Sequence, residues 1–219
     1  MSRNAPATLI AALALAGTAV GTAAQATEPG GVAPTSVLER ALESRAKGAD
    51  SARVVVFEIA DFQCPYCARF AAEIAPALDD AYVRTERIQW VFVNLPLHNH
   101  TRAWHAAEAA LCAGVAGGDF WAMHDRLFAE QDTWSGAPDP LALFAGYAAE
   151  LGAGAEAYER CTADDQVAPL ILQDLGSAIS AGITGTPTFI IMKDGQVVDQ
   201  MVGVQSVQQW SEVLDGALQ

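Results

Sequence analysis

Basic residues are scarce in this sequence of 219 residues. It contains 12 Lys and Arg against 26 Asp and Glu, which gives a net charge of −14 with neutral histidines. A net negative field disfavours binding to nucleic acid and to anionic lipid surfaces. We therefore expect no nucleic-acid partner. The charge suggests nothing more specific, because an acidic surface also serves solubility alone.

Long apolar runs are lacking after the first 26 residues. Within those residues, Arg3 forms a short positive region, residues 9–20 form an apolar region, and residues 24–26 form an A-x-A cleavage site. This order predicts a secretory signal peptide over residues 1–26. A retained anchor helix is the alternative, but it needs about 20 apolar residues. We therefore expect an exported chain, in the periplasm or another extracytoplasmic compartment, that is not embedded in a membrane after cleavage.

Cysteine is limited to four positions, Cys64, Cys67, Cys112 and Cys161. The first two lie three residues apart and the other two lie far apart, which suggests two different roles. A structural zinc site normally needs four ligands, often from a second closely spaced pair, and the sequence has no such pair. The four histidines are scattered. We therefore expect no metal and no cofactor.

Apolar periodicity outlines the order of elements. An N-terminal helix is predicted over 36–47, with Ser36 and Glu39 as a capping box. The run RVVVFEI predicts a buried strand. The remaining predictions are a helix from 65 to about 82 kinked at Pro76, a strand at 88–95, a helical region at 101–182 with segments at 101–114, 119–131, 139–151 and 166–181, a hairpin of strands 188–192 and 196–202, and a helix at 206–218.

This order predicts the α/β class, with a mixed β-sheet flanked by helices and a large all-helical insertion. The predicted domain division is a signal peptide at 1–26, a mobile leader and short helix at 27–52, and a single domain at 53–219. The helical insertion falls at about 100–182 of that domain.

Cys64 and Cys67 enclose Pro65 and Tyr66 where the predicted strand gives way to a helix. Proline fits the first helical position because its missing N–H has no partner there anyway. The free backbone N–H groups and the helix dipole favour a thiolate at Cys64, and the thiolate is the nucleophile. We expect Cys64 to be exposed and reactive, and Cys67 to be shielded and to resolve. A purely structural disulfide is the alternative.

Thr186 and Pro187 directly precede a predicted strand, where proline is acceptable as the first residue. A cis bond there would present the Thr186 backbone to a visiting extended chain. From the residues alone the trans form is the commoner expectation, since only about 5–6% of X–Pro bonds are cis.

Four stretches, VVVFEIADFQCPYC, NLPLHNH, GDFWAMHDRLF and GITGTPTFII, resemble the DsbA-type disulfide oxidoreductases of the thioredoxin superfamily. The resemblance extends over nearly all of residues 36–218. It implies a thioredoxin fold with a helical insertion. It also implies Cys64 as nucleophile, Cys67 as resolving thiol and Pro187 as a cis-proline that faces them. We add Thr186, Pro65 and Tyr66 as predicted substrate contacts.

Glu58 lies six residues before Cys64 on the predicted strand. In the family, an acidic residue at this position is buried near the resolving cysteine. A desolvated carboxyl group has a raised pKa and can move protons to and from a thiol. We predict a catalytic role for Glu58, although strand alternation could instead place it outward.

Cys112 and Cys161 both fall in the helical region. Export favours a structural disulfide between them, and two free buried thiols are the alternative.

The resemblance implies a protein thiol:disulfide oxidoreductase that passes the Cys64–Cys67 disulfide to cysteine-containing exported proteins as an oxidase. It also implies a quinone-linked membrane partner that reoxidises the pair. A disulfide reductase or isomerase in the same compartment is the alternative, and Thr186 before the proline is compatible with it. From another class, the chain could be a non-catalytic binding module whose cysteines are structural.

Overall fold

The computed structural model describes residues 36–219. The predicted signal peptide at 1–26 and the leader at 27–35 lie outside the described residues. Within residues 36–219, no helix has the length and apolar character needed to cross a membrane. The described elements are α1 Val37–Ser44, β1 Ala46–Gly48, β2 Val54–Ala60, α2 Pro65–Glu73, α3 Ala75–Leu78, a π-helical turn Asp79–Val83, β3 Gln89–Asn94, α4 Ala103–Val115, α5 Phe120–Ala129, α6 Gln131–Gly136, α7 Pro140–Glu150, α8 Ala155–Ala163, α9 Ala168–Ser180, β4 Thr188–Lys193, β5 Gln196–Val202 and α10 Val207–Leu218.

The five described strands form one mixed sheet in the order β1-β3-β2-β4-β5. The β2–β3 pair is parallel, and the β1–β3, β2–β4 and β4–β5 pairs are antiparallel. The predicted α/β class is thus confirmed, with a mixed sheet and an insertion that is helical throughout. The central strand β2 is apolar and mostly buried, as expected for a strand covered on both faces.

The N-terminal helix is shorter than predicted. Its capping box is present, because the Ser36 hydroxyl accepts from the Glu39 amide and the Glu39 carboxylate accepts from the Ser36 amide. The prediction that the helix continues to residue 47 is wrong: α1 ends at Ser44 and the chain enters β1, which pairs with β3. Pairing with a distant strand decides this, and local periodicity cannot reveal it.

Gly48 allows β1 to lie close to the chain before β3. It adopts φ +90, in the left-handed region, and a Cβ atom there would lie 2.2 Å from the Ile88 carbonyl oxygen. Only glycine tolerates both conditions without strain. The structure places Gly48 at the end of β1.

The predicted kink at Pro76 is a complete break. The helix that begins at Pro65 ends at Glu73, and α3 begins afresh with Pro76 in its first turn. The π-helical turn Asp79–Val83 follows and leads into β3. Proline removes one backbone donor, so an interior position ends the hydrogen-bond ladder.

The insertion between β3 and β4 contains the six helices α4 to α9. Four of them match the predicted segments. The short helices α6 and α8 were not predicted, because neither has enough apolar residues in its few turns to produce a periodic pattern. The sequence AEAYERCTA of α8 buries only Tyr158 and Cys161.

A disulfide joins Cys112 in α4 to Cys161 in α8, with 5.6 Å between the Cα atoms. Both residues are fully buried. The bridge therefore fixes two helices of the insertion and closes a loop of 49 residues.

Removing this bridge should lower the free energy of unfolding substantially. For a closed loop of this length the chain-entropy estimate is about 4 kcal/mol. We expect that loss in urea unfolding of the double variant Cys112→Ala/Cys161→Ala, and we expect thiol exchange at 25 °C to survive. Mild native reduction of the unaltered protein should release two thiols only. Mass spectrometry that finds Cys112 and Cys161 free in untreated exported protein would contradict the pairing.

Candidate active site

Cys64 occupies the N-cap of α2, and Pro65 is the first residue of that helix. The strand β2 ends at Ala60, so three loop residues bring the chain from the sheet to the helix start. No side chain of the described residues caps the helix. The first backbone N–H groups therefore point toward the Cys64 sulfur, which is the placement predicted from the CPYC sequence.

The loop before Cys64 is held by Asp61, which is 1% exposed. One carboxylate oxygen accepts from the Gln63 amide at 2.6 Å. The other accepts from the Leu97 amide at 2.7 Å and lies 2.8 Å from Nδ1 of His100. The NLPLHNH stretch after β3 is thereby fastened to the loop. The sequence predicts Asp61 as a loop or capping residue, because it lies directly after an apolar strand, and these bonds agree with that prediction.

Gln131, at the start of α6, connects the insertion to the same loop. Its side-chain amide donates to the Phe62 carbonyl at 2.7 Å and to the Cys64 carbonyl at 3.0 Å. Both bonds are buried, and Gln131 is 9% exposed. Nothing in the sequence marks this glutamine, because its partners lie more than 60 residues away.

The substitution Gln131→Leu should destabilise the protein by about 1–3 kcal/mol at nearly constant side-chain volume, since it removes the donor of the buried Phe62 carbonyl and one of the donors to the Cys64 carbonyl. We also expect slower thiol exchange, because the carbonyl of Cys64 itself loses a fixed partner. Urea unfolding and an exchange assay measure the two effects. Gln208→Leu is the matched control, since Gln208 is exposed and bonds only to Glu212. Equal stability of the two variants would show that the Gln131 bonds contribute nothing.

The two active-site thiols are both buried. Cys67 is fully buried, as predicted, whereas Cys64 is 5% exposed and not the open thiol that we expected. The neighbouring loop explains the difference: Sγ of Cys64 lies 3.5 Å from the carbonyl oxygen of Thr186. The peptide bond between Thr186 and Pro187 is cis. This cis-proline loop therefore faces Cys64, in the arrangement that the resemblance implies.

The helix start presents its other two residues to solvent. Tyr66 is 61% exposed and Pro65 is also exposed. They directly follow Cys64, whose sulfur faces the Thr186 carbonyl. Their predicted role as substrate contacts stays a prediction.

The pKa values of the two thiols are shifted in opposite directions. The pKa of Cys64 is lowered from about 9 to about 5, chiefly by the hydrogen bond from Cys67, and further by Thr186 and the backbone N–H groups of Cys67 and Tyr66. The pKa of Cys67 is raised, chiefly by burial and then by its interaction with Cys64. At neutral pH, Cys64 is a thiolate and Cys67 is a thiol that donates to it. This is the charge distribution of a nucleophile with a resolving partner.

Glu58 points into the protein, so the outward alternative is wrong. It is 2% exposed, and its Oε2 accepts from Nε1 of Trp90 at 2.8 Å. Burial raises the pKa of its carboxyl group, opposed first by the charge of His124. In the described part of the chain, three atoms here lack hydrogen-bond partners: Oε1 of Glu58, Nε2 of His124 and Nε1 of Trp121. The three residues line one cavity of about 110 Å³. A polar space of that size accommodates water.

Among residues 36–219, the hydrogen bond of Glu58 goes to Trp90 and not to the resolving thiol. Burial and Cys64 have the largest effects on the pKa of Cys67, and Asp61 and Thr186 follow. Glu58 instead lines the polar cavity described above. Its catalytic role therefore stays a prediction, and proton transfer from it to Cys67 would require a mediating group.

Comparison with known proteins agrees with this geometry. The thioredoxin family matches residues 40–215. The crystal structure of alpha-DsbA1 from Wolbachia pipientis superposes with a TM-score of 0.70 at 23% identity, covering 80% of this chain and 90% of that one. The chain therefore has the fold of that structure, and its Cys64–Cys67 pair has the C-x-x-C spacing. It belongs to the thioredoxin family, and the resemblance read from its four sequence stretches is confirmed.

Curated relatives match only in part of their length. A putative protein-disulfide oxidoreductase of Rickettsia bellii is 27% identical over 151 residues, which are 66% of this chain and 55% of that protein. The Na(+)/H(+) antiporter NhaA 3 of Salinispora tropica is 37% identical over 146 residues, which are 66% of this chain and 21% of that protein. The chain thus spans about a fifth to about half of these relatives.

Proposed function

We propose that this protein is an exported thiol:disulfide oxidoreductase that acts as an oxidase on folding proteins. A substrate thiolate attacks Sγ of Cys64 in the oxidised pair, the Cys64–Cys67 bond breaks, and Cys67 leaves as a thiolate that takes up a proton. A second substrate thiolate then attacks the substrate sulfur of the mixed disulfide and releases Cys64. The substrate loses two electrons and gains a disulfide, and the enzyme pair is reduced.

The observation that carries the oxidase direction is the lowered pKa of Cys64. A stabilised thiolate favours the reduced form of the pair, so the oxidised form gives up its disulfide readily. A thiol of low pKa is also a good leaving group when the mixed disulfide is resolved. Both effects favour donating a disulfide over reducing one.

The proposed compartment rests on the N-terminal sequence, which predicts a signal peptide at 1–26 ahead of a leader and the 53–219 domain. Cysteine-containing exported proteins are the proposed substrates. A quinone-linked membrane protein is the proposed reoxidant, since each turnover leaves the pair reduced and a further oxidant must restore it.

The test is the equilibrium of the Cys64–Cys67 pair against glutathione. We expect a reduction potential above that of the glutathione pool, so that the pair is largely reduced in a buffer where structural disulfides stay oxidised. A potential well below that of glutathione would instead support the reductase. Isomerase activity on a scrambled substrate, without net oxidation, would support the isomerase. Activity that is unchanged after Cys64 and Cys67 are both replaced would support the non-catalytic binding module.

A further inference from the structure

A second cavity lies in the helical insertion, separate from the thiol pair. It has a volume of about 510 Å³ and opens between α4, α7 and α8. This volume lies within the range of about 300–1,000 Å³ that is typical of small-molecule sites. Its walls are mainly apolar, with Phe144, Leu141 and several alanines. No residue of the CPYC sequence or of the cis-proline loop lines it.

One carboxyl group is buried at this cavity. Glu108, on α4, is 5% exposed and is the one charged residue among the buried side chains of that helix. Its Oε2 lies 3.3 Å from Nδ1 of His105, and its Oε1 has no hydrogen-bond partner within residues 36–219. A buried carboxylate oxygen without a partner is costly, and an alanine would fit the rest of this helix at no such cost. A hydrogen-bond donor placed at Oε1 would remove this cost.

The other polar residues of the cavity carry no positive charge that could serve Glu108. Asp165 and Glu159 add two carboxylates, and Tyr158 adds a hydroxyl group. His105 is the one basic side chain among the described lining residues, and it already faces the other oxygen of Glu108. Burial, and then the neighbouring Asp165, keep the pKa of Glu108 above its ordinary value.

We propose that this cavity binds a small organic cation, a protonated primary amine or amidine carried on an apolar body. The ammonium or amidinium group donates to Oε1 of Glu108 and neutralises the acidic side of the cavity. The hydrocarbon lies against Phe144 and the alanines. A metal ion fits less well, because the walls are largely apolar and residues 36–219 contain no His, Cys, Asp and Glu cluster suited to one.

The disulfide of the insertion supports the same cavity. Cys112 follows Glu108 by one turn of α4, and Cys161 follows Tyr158 by three residues of α8. The bridge thus fixes the two helices that carry the polar residues of the site. Preorganised walls reduce the entropy cost of binding a small ligand.

The test uses titration calorimetry with phenethylamine as the cation and phenylethanol as its neutral counterpart, on the full chain with both disulfides formed. We expect the amine to bind at least about tenfold more tightly than the alcohol, because a hydrogen bond between two charged groups is stronger than one from a neutral hydroxyl group. Glu108→Gln should remove that preference and leave the alcohol unaffected. Glu159→Gln, at the exposed rim, is the matched control and should change the affinity less than about twofold.

A second variant blocks the cavity without altering charge. Ala145→Trp places an indole in the opening, and both probes should lose measurable binding. Thiol exchange at Cys64 should be unchanged in every variant, so failure of this site is distinguishable from failure of the oxidase. Equal affinity for amine and alcohol, or unchanged amine binding in Ala145→Trp, would overturn the proposal. Absence of any binding by the unaltered protein would do the same, and would leave a proton shared with Asp165 as the partner of Glu108.

Discussion

The Cys67→Ser protein should accumulate covalent complexes with its substrates, whereas Cys64→Ser should form none. Cys64 lies at the helix start beside the Thr186 carbonyl, and it is the thiol whose pKa is lowered. The Cys64 thiolate therefore attacks a substrate disulfide: one substrate sulfur bonds to Sγ of Cys64, and the other leaves as a thiolate. With Cys67 replaced, the intramolecular route that releases the substrate is closed, and the mixed disulfide persists.

Serine is the right replacement at position 67 for a specific reason. The hydrogen bond from Cys67 is the largest cause of the lowered pKa of Cys64. The serine hydroxyl keeps a donor at this position, so the nucleophile stays activated while the resolving sulfur is lost. Cys67→Ala removes both, and we expect it to trap substrates more slowly.

Non-reducing electrophoresis of exported extracts, followed by mass spectrometry, identifies the trapped partners. Several exported proteins with multiple cysteines are the expected result for an oxidase. Capture of one dominant partner would contradict a general oxidase and leave thiol exchange intact. Cys64→Ser is the matched control, because Cys67 is fully buried and its pKa is raised. Adducts in Cys64→Ser alone would reverse the assigned roles, and adducts in neither variant would contradict the catalytic hypothesis.

Local sequence patterns correctly predicted the elements that are determined by residues close together in the sequence. The run RVVVFEI predicted a strand at 53–59, and β2 spans Val54–Ala60. The returning strand of the hairpin was predicted at 196–202 and has those bounds. Both cases combine a clear pattern with turn residues on either side.

Long-range pairing decided the elements that were predicted wrongly. Residues 46–47 continue a helical pattern, yet β1 pairs with a strand more than 40 residues away. The exposure of Cys64 was misjudged for the same reason. The helix start alone would leave its sulfur open, but the cis-proline loop, 122 residues further along the chain, covers it. Gln131 acquires its significance in the same way, from partners that only the folded chain brings near.

Reactivity of the reduced protein should depend on pH with a midpoint near the lowered pKa of Cys64, about 5. Alkylation of one thiol by iodoacetamide should therefore be nearly complete at pH 6, where an ordinary cysteine reacts slowly. Cys67→Ala should move the midpoint upward, because it removes the largest cause of the shift. The absorbance of the thiolate at about 240 nm follows the same titration independently of the alkylating agent.

The same ionisation makes the stability of the reduced protein depend on pH. The pKa of Cys64 is lower in the folded chain than in the unfolded chain. Its contribution to the free energy of unfolding is therefore complete only above the ordinary thiol pKa near 9, and it is lost as the pH falls through about 5. Between pH 7 and pH 5 the reduced protein should lose at most about 2–3 kcal/mol from this group, at about 1.4 kcal/mol per pH unit. Cys67 does not offset this loss, because its raised pKa keeps it protonated throughout. The oxidised protein has no thiol at this position and serves as the control, so the gap between the two forms in urea unfolding should change by that amount. A gap that stays constant from pH 7 to pH 5 would show that Cys64 is not a stabilised thiolate, and the oxidase direction would lose its support.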